Sequence, residues 1–164
     1  MSKNRSKLIL LLLMVVSSLV QAAEIKRYPL PDNSTFPIAA AAEVNGVVFE
    51  SGKIPSPKSK EAENNSRAYW GNTEEQTVSV LKKIEASLKE KDLDMGDVVK
   101  MTVFLVGDPE MDGKMDFGGF MRGYTQFFGT ETQPQLPARS VVQVAGLVFD
   151  NMLVEIEVIA VRPE

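Results

Sequence analysis

In the last third of the chain, Arg139 stands at the entrance of one apolar run, LPARSVVQV (residues 136–144), and Glu155 and Glu157 stand inside another, MLVEIEVIAV (residues 152–161). A guanidinium is a planar fork of donors that matches a carboxylate, and Pro137 and Ala138 hold its backbone near a strand entrance. The same arginine could equally be satisfied by backbone carbonyls or by a neighbouring acid. In an extended strand, Val154, Ile156, Val158 and Ala160 share one face, and Leu153, Glu155, Glu157, Ile159 and Val161 share the other. Two carboxylates on a face otherwise apolar need a partner or a raised pKa, and a raised pKa suits a group that moves protons near neutrality. A solvated sheet edge is the plainer alternative.

Composition narrows the chemistry further. The chain contains no Cys and no His, which removes disulfides, thiol nucleophiles, imidazole bases and zinc sites of the usual Cys/His type. Carboxylates, Arg, Lys, Ser, Tyr, backbone amides and water remain. At the N-terminus, Lys3, Arg5 and Lys7 precede the apolar run LILLLLMVVSSLV, which ends in Val20-Gln21-Ala22. Residues 1–22 therefore read as a secretory signal peptide; a membrane anchor would need an apolar span of roughly 20 residues. Removing them takes 18 basic residues to 15 against 22 acidic ones, a net charge of −7. That balance disfavours a nucleic-acid partner. The remaining chain, 23–164, suits one domain.

The elements that must position Arg139 and the glutamates follow from turn signals and periodicity. RYPL (residues 27–30) reads as a short edge strand. PIAAAAEV and VVFESGKIP flank Asn45-Gly46, the favoured type I′ pair, and predict a β-hairpin. Its second strand stops at Ser51-Gly52, where a backbone amide could face a ligand or the strand could simply end. Residues 56–72 form a polar surface loop whose Trp70 either pins the loop to the domain or rims a pocket. Thr73-x-x-Gln76 has the form of a capping box, and Val80, Leu81, Ile84 and Leu88 follow at helical spacing. DVVKMTVFLVGD predicts a strand. Phe117, Phe120, Met121, Tyr124, Phe127 and Phe128 form a stripe for a second helix ending at Gly129, in which Gly118, Gly119 and Gly123 are costly unless something approaches closely. The last two runs predict a terminal hairpin turning at Asp150-Asn151. The sum is an α+β fold with two helices on one face of a single mixed sheet.

In such a hairpin position 139 pairs with 161 and position 145 with 155, which puts Arg139 and Glu155 roughly 20 Å apart at about 3.3 Å per residue. If they serve one site, the site lies between subunits or the hairpin is paired otherwise. A homo-oligomer is the natural expectation.

The segments SGKIP (51–55), GDVVKMTVFL (96–105), YTQFFG (124–129), PARSVVQVAGL (137–147) and VEIEVIAV (154–161), in this order and spacing, resemble the RidA (YjgF) family of reactive intermediate enamine/imine deaminases. The resemblance covers nearly the whole chain after residue 22. It implies a chorismate-mutase-like α+β fold assembled as a homotrimer, with clefts between subunits that hydrolyse 2-imino and 2-amino-enoic acids such as 2-aminoacrylate to 2-oxo acids and ammonia without metal or organic cofactor. The family's carboxylate-gripping arginine matches Arg139 and its water-activating glutamate matches Glu155, while Ser51 and Gly52 match cleft-lining positions. Departures cluster at the same cleft. Ile38 stands where the family often has a tyrosine, Val141 where a cysteine is common, and Met121 where an asparagine often opens the aromatic run. The loop 56–72 is longer than usual.

The expectation is therefore a secreted, periplasmic, trimeric imine/enamine deaminase taking a small carboxylate substrate, with no nucleic-acid partner and no membrane contact after signal cleavage. Arg139 would bind and Glu155 would activate water, with Ile38, Ser51, Gly52, Met121 and Val141 lining the cleft. The rival is a non-catalytic module of the cell envelope that binds a small carboxylate in the same cleft.

Overall fold

The computed structural model describes residues 23–31 and 34–163; the expected signal peptide, 1–22, lies outside the described residues. Six strands build one mixed sheet: β1 Ile25–Pro29, β2 Ala39–Val44, β3 Val47–Glu50, β4 Val98–Val106, β5 Ala138–Val144 and β6 Val154–Val161, in the order β1-β2-β3-β6-β4-β5. All neighbours are antiparallel except β4 and β5. Among the described residues the α-helices are α1 Arg67–Trp70, α2 Thr73–Lys89 and α3 Phe117–Tyr124. Among the described residues none is long and apolar enough to cross a membrane.

The Asn45-Gly46 hairpin forms as the dipeptide predicts, with φ positive at both residues, 49° and 76°. The core lies between the sheet and α2 and α3. It takes Val80, Leu81, Ile84 and Leu88 from α2, Phe120 and Tyr124 from α3, Met101, Val103 and Leu105 from β4, and Val154, Ile156 and Val158 from β6. Alternate residues of β4 and β6 thus point to the helices, and Thr102, Phe104, Glu155 and Glu157 point to the opposite, open face.

Four local expectations are corrected. First, the terminal hairpin does not exist. β5 runs parallel to β4 in the register Met101↔Arg139, and β4 separates it from β6 in the register Phe104↔Glu155. The chain after β5 crosses over one strand before entering the sheet, so the turn residues at 150–151 close a loop rather than a two-strand ribbon. Second, the loop 56–72 contains the one-turn helix α1, which buries Trp70 and is capped by Ser66. Third, the cap of α2 is Asn72, whose side chain accepts from Glu75 N at 2.9 Å while Asn72 N donates back to the Glu75 carboxylate. Gln76 is instead fully buried: its Nε2 donates to Gly71 O and Asn151 O, and its Oε1 accepts from Leu153 N. It ties the start of α2 to the entrance of β6. Fourth, α3 ends at Tyr124, so Phe127 and Phe128 follow the helix, and Phe117 is exposed.

The glycines of α3 have a use. A Cβ at Gly123 would lie 2.8 Å from Thr77 Cγ2 of α2, so the bare backbone lets the two helices touch. Gly119 leaves room for the Asp116 carboxylate that caps the helix at Gly119 N, 2.7 Å away.

Candidate functional site

Arg139 projects from the second position of edge strand β5. Its register partner Met101 faces the helices, so the guanidinium does too. It lies over two rings of α3, with Cζ 4.2 Å from the centre of Tyr124 and 5.0 Å from that of Phe120. These stacked contacts fix the plane of the fork. Nη2 donates to Met121 Sδ at 3.3 Å, whereas Nη1 is buried without a hydrogen-bond partner. A buried guanidinium donor left unpaired is costly, and an incoming acceptor would remove that cost. Val141 lies two residues further along the same face of β5, half-buried against the core. Arg139, Met121 and Val141 therefore form one group.

Glu155 belongs to another. It is half-buried on the open face of β6, and it has neither an ion-pair partner nor a hydrogen-bond partner among the described residues. Burial, assisted by the neighbouring charge of Glu157, pushes its carboxyl above the usual glutamate range. Glu157 itself is exposed. Lys53 forms a bridge with Ile156, through Lys53 N to Ile156 O at 2.8 Å and the return bond at 3.1 Å, which brings Gly52 against the Glu155 side chain. A Cβ at Gly52 would come within 3.0 Å of Glu155 Cδ, so no residue with a side chain fits there unless the carboxylate moves. Ser51 Oγ donates to Ala39 O at 2.7 Å, tying this corner to β2, and Ile38, half-exposed, lies just before that strand. Ile38, Ser51, Gly52 and Glu155 thus gather at the end of β3.

The two groups do not meet within one chain. Arg139 and Glu155 sit on opposite faces, two strands apart and offset by three residues along β4, which separates their Cα atoms by roughly 14 Å. The correct pairing shortens the expected separation, but a single copy still cannot bring both groups to one small substrate. The aromatic seat of Arg139 was missed as a functional feature, because the stripe of α3 reads as core. Phe120 and Tyr124 are core, and their i, i+4 spacing also places two rings under the guanidinium.

Trp70 pins its loop: it is buried, edge-on to Tyr69 at 4.7 Å and stacked on Phe149 at 6.0 Å. It also borders a surface cavity of about 370 Å³ with Ser56, Pro57 and Lys82.

Comparison with known proteins gives a consistent picture. The family model described as endoribonuclease L-PSP matches residues 33–162. AldR of Lactococcus lactis, provisionally named a regulator, is 42% identical over 118 residues, 71% of this chain and 80% of AldR. TdcF of Escherichia coli, provisionally named a reactive intermediate deaminase, is 35% identical over 127 residues, 77% of this chain and 87% of TdcF. The crystal structure of TdcF with bound serine superposes with a TM-score of 0.62 at 32% identity, covering 87% of this chain and 99% of that one. A Thermotoga maritima structure, provisionally described as an endoribonuclease, gives 0.63 at 33% identity, covering 85% and 99%.

Proposed function

Since the chain belongs to the RidA (YjgF) family, we propose that it hydrolyses reactive 2-imino and 2-enamino acids, such as 2-aminoacrylate, to 2-oxo acids and ammonia in clefts between copies of itself. One observation carries this reading: a carboxylate-binding cation and a general base, the two groups that such a reaction needs, are both present with hydrogen-bonding capacity to spare. Arg139 Nη1 has no hydrogen-bond partner, and the half-buried Glu155 carboxylate has a raised pKa with no cation among its causes.

Arg139 receives the substrate carboxylate on its guanidinium, whose plane is held by Tyr124 and Phe120. Glu155 accepts a proton from a water as that water attacks the C=N carbon, an enamine first tautomerising to the imine. Glu155 returns that proton to the nitrogen, giving the carbinolamine; as the hydroxyl proton passes to the same nitrogen, the C–N bond breaks, ammonia leaves and the carbon becomes the ketone of the 2-oxo acid. A carboxyl pushed above the ordinary range by burial is a stronger base than an exposed glutamate. Hydrolysis of an imine is already fast in water, so a grip and one base are sufficient machinery.

Because the two groups sit on opposite faces, a complete site takes Arg139 from one copy and the Ile38–Ser51–Gly52–Glu155 corner from a neighbour. We take the assembly to be a homotrimer, supported by the family and by an open face on which Phe49 and Val142 are 45% and 44% exposed. The signal-like residues 1–22 support action after export, in the periplasm. The description of the family model as an endoribonuclease does not carry over to our reading, since a chain of net charge −4 offers no electrostatic hold on RNA.

The test generates 2-aminoacrylate and 2-iminobutanoate in situ, traps residual imine with semicarbazide, and compares wild type with Arg139→Ala and Glu155→Ala. Acceleration lost in both folded variants is the expected result. No acceleration over the spontaneous rate by the wild type would leave the cleft as a carboxylate-binding site without turnover.

A further inference from the structure

The helix-side face holds a second concentration of charge, far from Arg139 at the other end of the sheet. Gly52 and Lys53 are successive residues of an extended segment, so Lys53 points to the helices while Gly52 meets Glu155 on the open face. There Lys53 joins Lys83 and Lys91 of the α2 region around a cavity of about 590 Å³, walled by Tyr28, Leu30 and Ala86 among others. Most of the wall is apolar.

The three ammonium groups are not equally occupied. Lys91 is buried and saturated: its Nζ contacts Ser87 O at 2.8 Å, Ser87 Oγ at 2.9 Å and Glu50 at 2.9 Å. Lys53 lies 3.1 Å from the other oxygen of Glu50 and reaches Ala40 O only at 3.4 Å. Lys83 donates to Ile54 O at 2.8 Å, and among the described residues it has no carboxylate within 4.0 Å. Glu50, fully buried, is the single acid beneath three lysines, and Glu90 at the rim is exposed. Positive charge in a half-buried, apolar-walled space therefore exceeds negative charge, with spare N–H donors on Lys83 and Lys53. Burial and the charge of Lys53 hold the Lys83 amine below the usual lysine range, as expected for a cation short of a counter-ion.

We propose that this cavity binds a small amphiphilic carboxylate, with its carboxylate between the Lys53 and Lys83 ammonium groups and a short apolar chain or ring against Tyr28, Leu30 and Ala86. The volume is that of a small-molecule site, and apolar walls with a few convergent polar groups are its usual lining. Inorganic phosphate would satisfy the ammonium pair and leave the apolar wall exposed to water, so it is the weaker ligand. The site faces away from Glu155 and contains no residue of the proposed deaminase cleft, so the two readings stand or fall separately.

The test is isothermal titration of the mature full-length protein with hexanoate, acetate and inorganic phosphate. Hexanoate is expected to bind saturably and at least tenfold more tightly than acetate or phosphate. Lys83→Met, which keeps the aliphatic stem and disturbs no ion pair, is expected to weaken hexanoate at least tenfold while leaving the thermal midpoint and any deaminase activity unchanged. Lys83→Arg, which restores the charge, should recover most of the affinity. Absence of saturable hexanoate binding, or binding unaltered by Lys83→Met, would overturn the proposal. Phosphate binding as tightly as hexanoate would overturn the assigned ligand class.

Discussion

Glu50 and Glu155 are glutamates of adjacent strands with opposite circumstances. Glu50 faces the helices, fully buried, and its carboxylate contacts Lys53, Lys91 and the Ser87 hydroxyl at 2.8–3.1 Å. Glu155 faces the open side, half-buried, with no partner among the described residues and a raised carboxyl pKa. The first charge is consumed in holding β3 to the C-terminal end of α2. The second is held at a cost and left available. Where a fold neutralises a buried charge completely, the charge belongs to the scaffold; where it buries one incompletely, a ligand or a proton is the missing partner.

The largest effect should come from Glu50. Removing it strands Lys91, which is buried, and leaves Lys53 beside it, so Glu50→Ala should lose about 3–5 kcal/mol of stability in urea titrations. Glu155→Gln should change stability by less than about 1 kcal/mol in the same titration, and at the same time abolish deaminase activity. Equal losses from the two variants would break the distinction between them.

Gly52→Ala sharpens it. The added methyl falls on the Glu155 carboxylate and must displace it. Activity should fall by at least about tenfold, corresponding to roughly 1.4 kcal/mol of barrier, with the thermal midpoint little changed because a flexible carboxylate can swing aside.

A smaller effect follows from the raised pKa of Glu155. Between the unfolded glutamate value and the higher folded value, the native state binds more protons than the unfolded state, so stability declines as pH rises through that window and is unaffected below it. Wild type minus Glu155→Gln, measured by urea titration from pH 4 upward, should show that decline. The acid limb of the pH–rate profile should lie above the ordinary glutamate range. A difference that rises with pH would contradict the burial account.

The smallest effect is at Arg122, whose exposed side chain reaches Glu74 at 2.6 Å. Arg122→Ala should cost less than about 0.5 kcal/mol despite the short contact, because solvent screens the pair. A larger loss in the urea titration would mean that exposed ion pairs matter here as buried ones do.

How far these features were legible in the sequence depends on the range of the forces that set them. Asn45-Gly46, the apolar spacing of α2 and the β-branched run of β4 are local signals, and each became the element predicted. The cap of α2 moved by one residue because Asn72 and Thr73 are both competent caps, and a buried Gln76 is indistinguishable in sequence from a capping one. The β5–β6 hairpin failed for a deeper reason. Two apolar strands separated by turn residues carry no local mark saying that β4 will lie between them. Strand order is decided by which pairing buries the helix-facing residues of β4 and β6 together, a property of the assembled sheet. Arg139 and Glu155 stood out in the sequence as candidates with plainer alternatives, their roles came only from the family resemblance, and no local signal marked the faces they occupy relative to the helices. The lysine cavity had no sequence signal, because Lys53 and the lysines of the α2 region become neighbours only after β3 packs beside α2.

The central claim is that each site joins Arg139 of one copy to Glu155 of another, and complementation between inactive variants tests it most directly. Arg139→Ala and Glu155→Ala proteins are mixed in equal amounts, unfolded, refolded together and assayed for imine hydrolysis. With random assembly into a ring, about one quarter of the clefts receive an intact arginine and an intact glutamate from neighbouring copies, so activity should return to about a quarter of wild type. If the mixture stays as inactive as either variant alone while the wild type recovers its activity through the same refolding, the two residues do not act together across a boundary between copies.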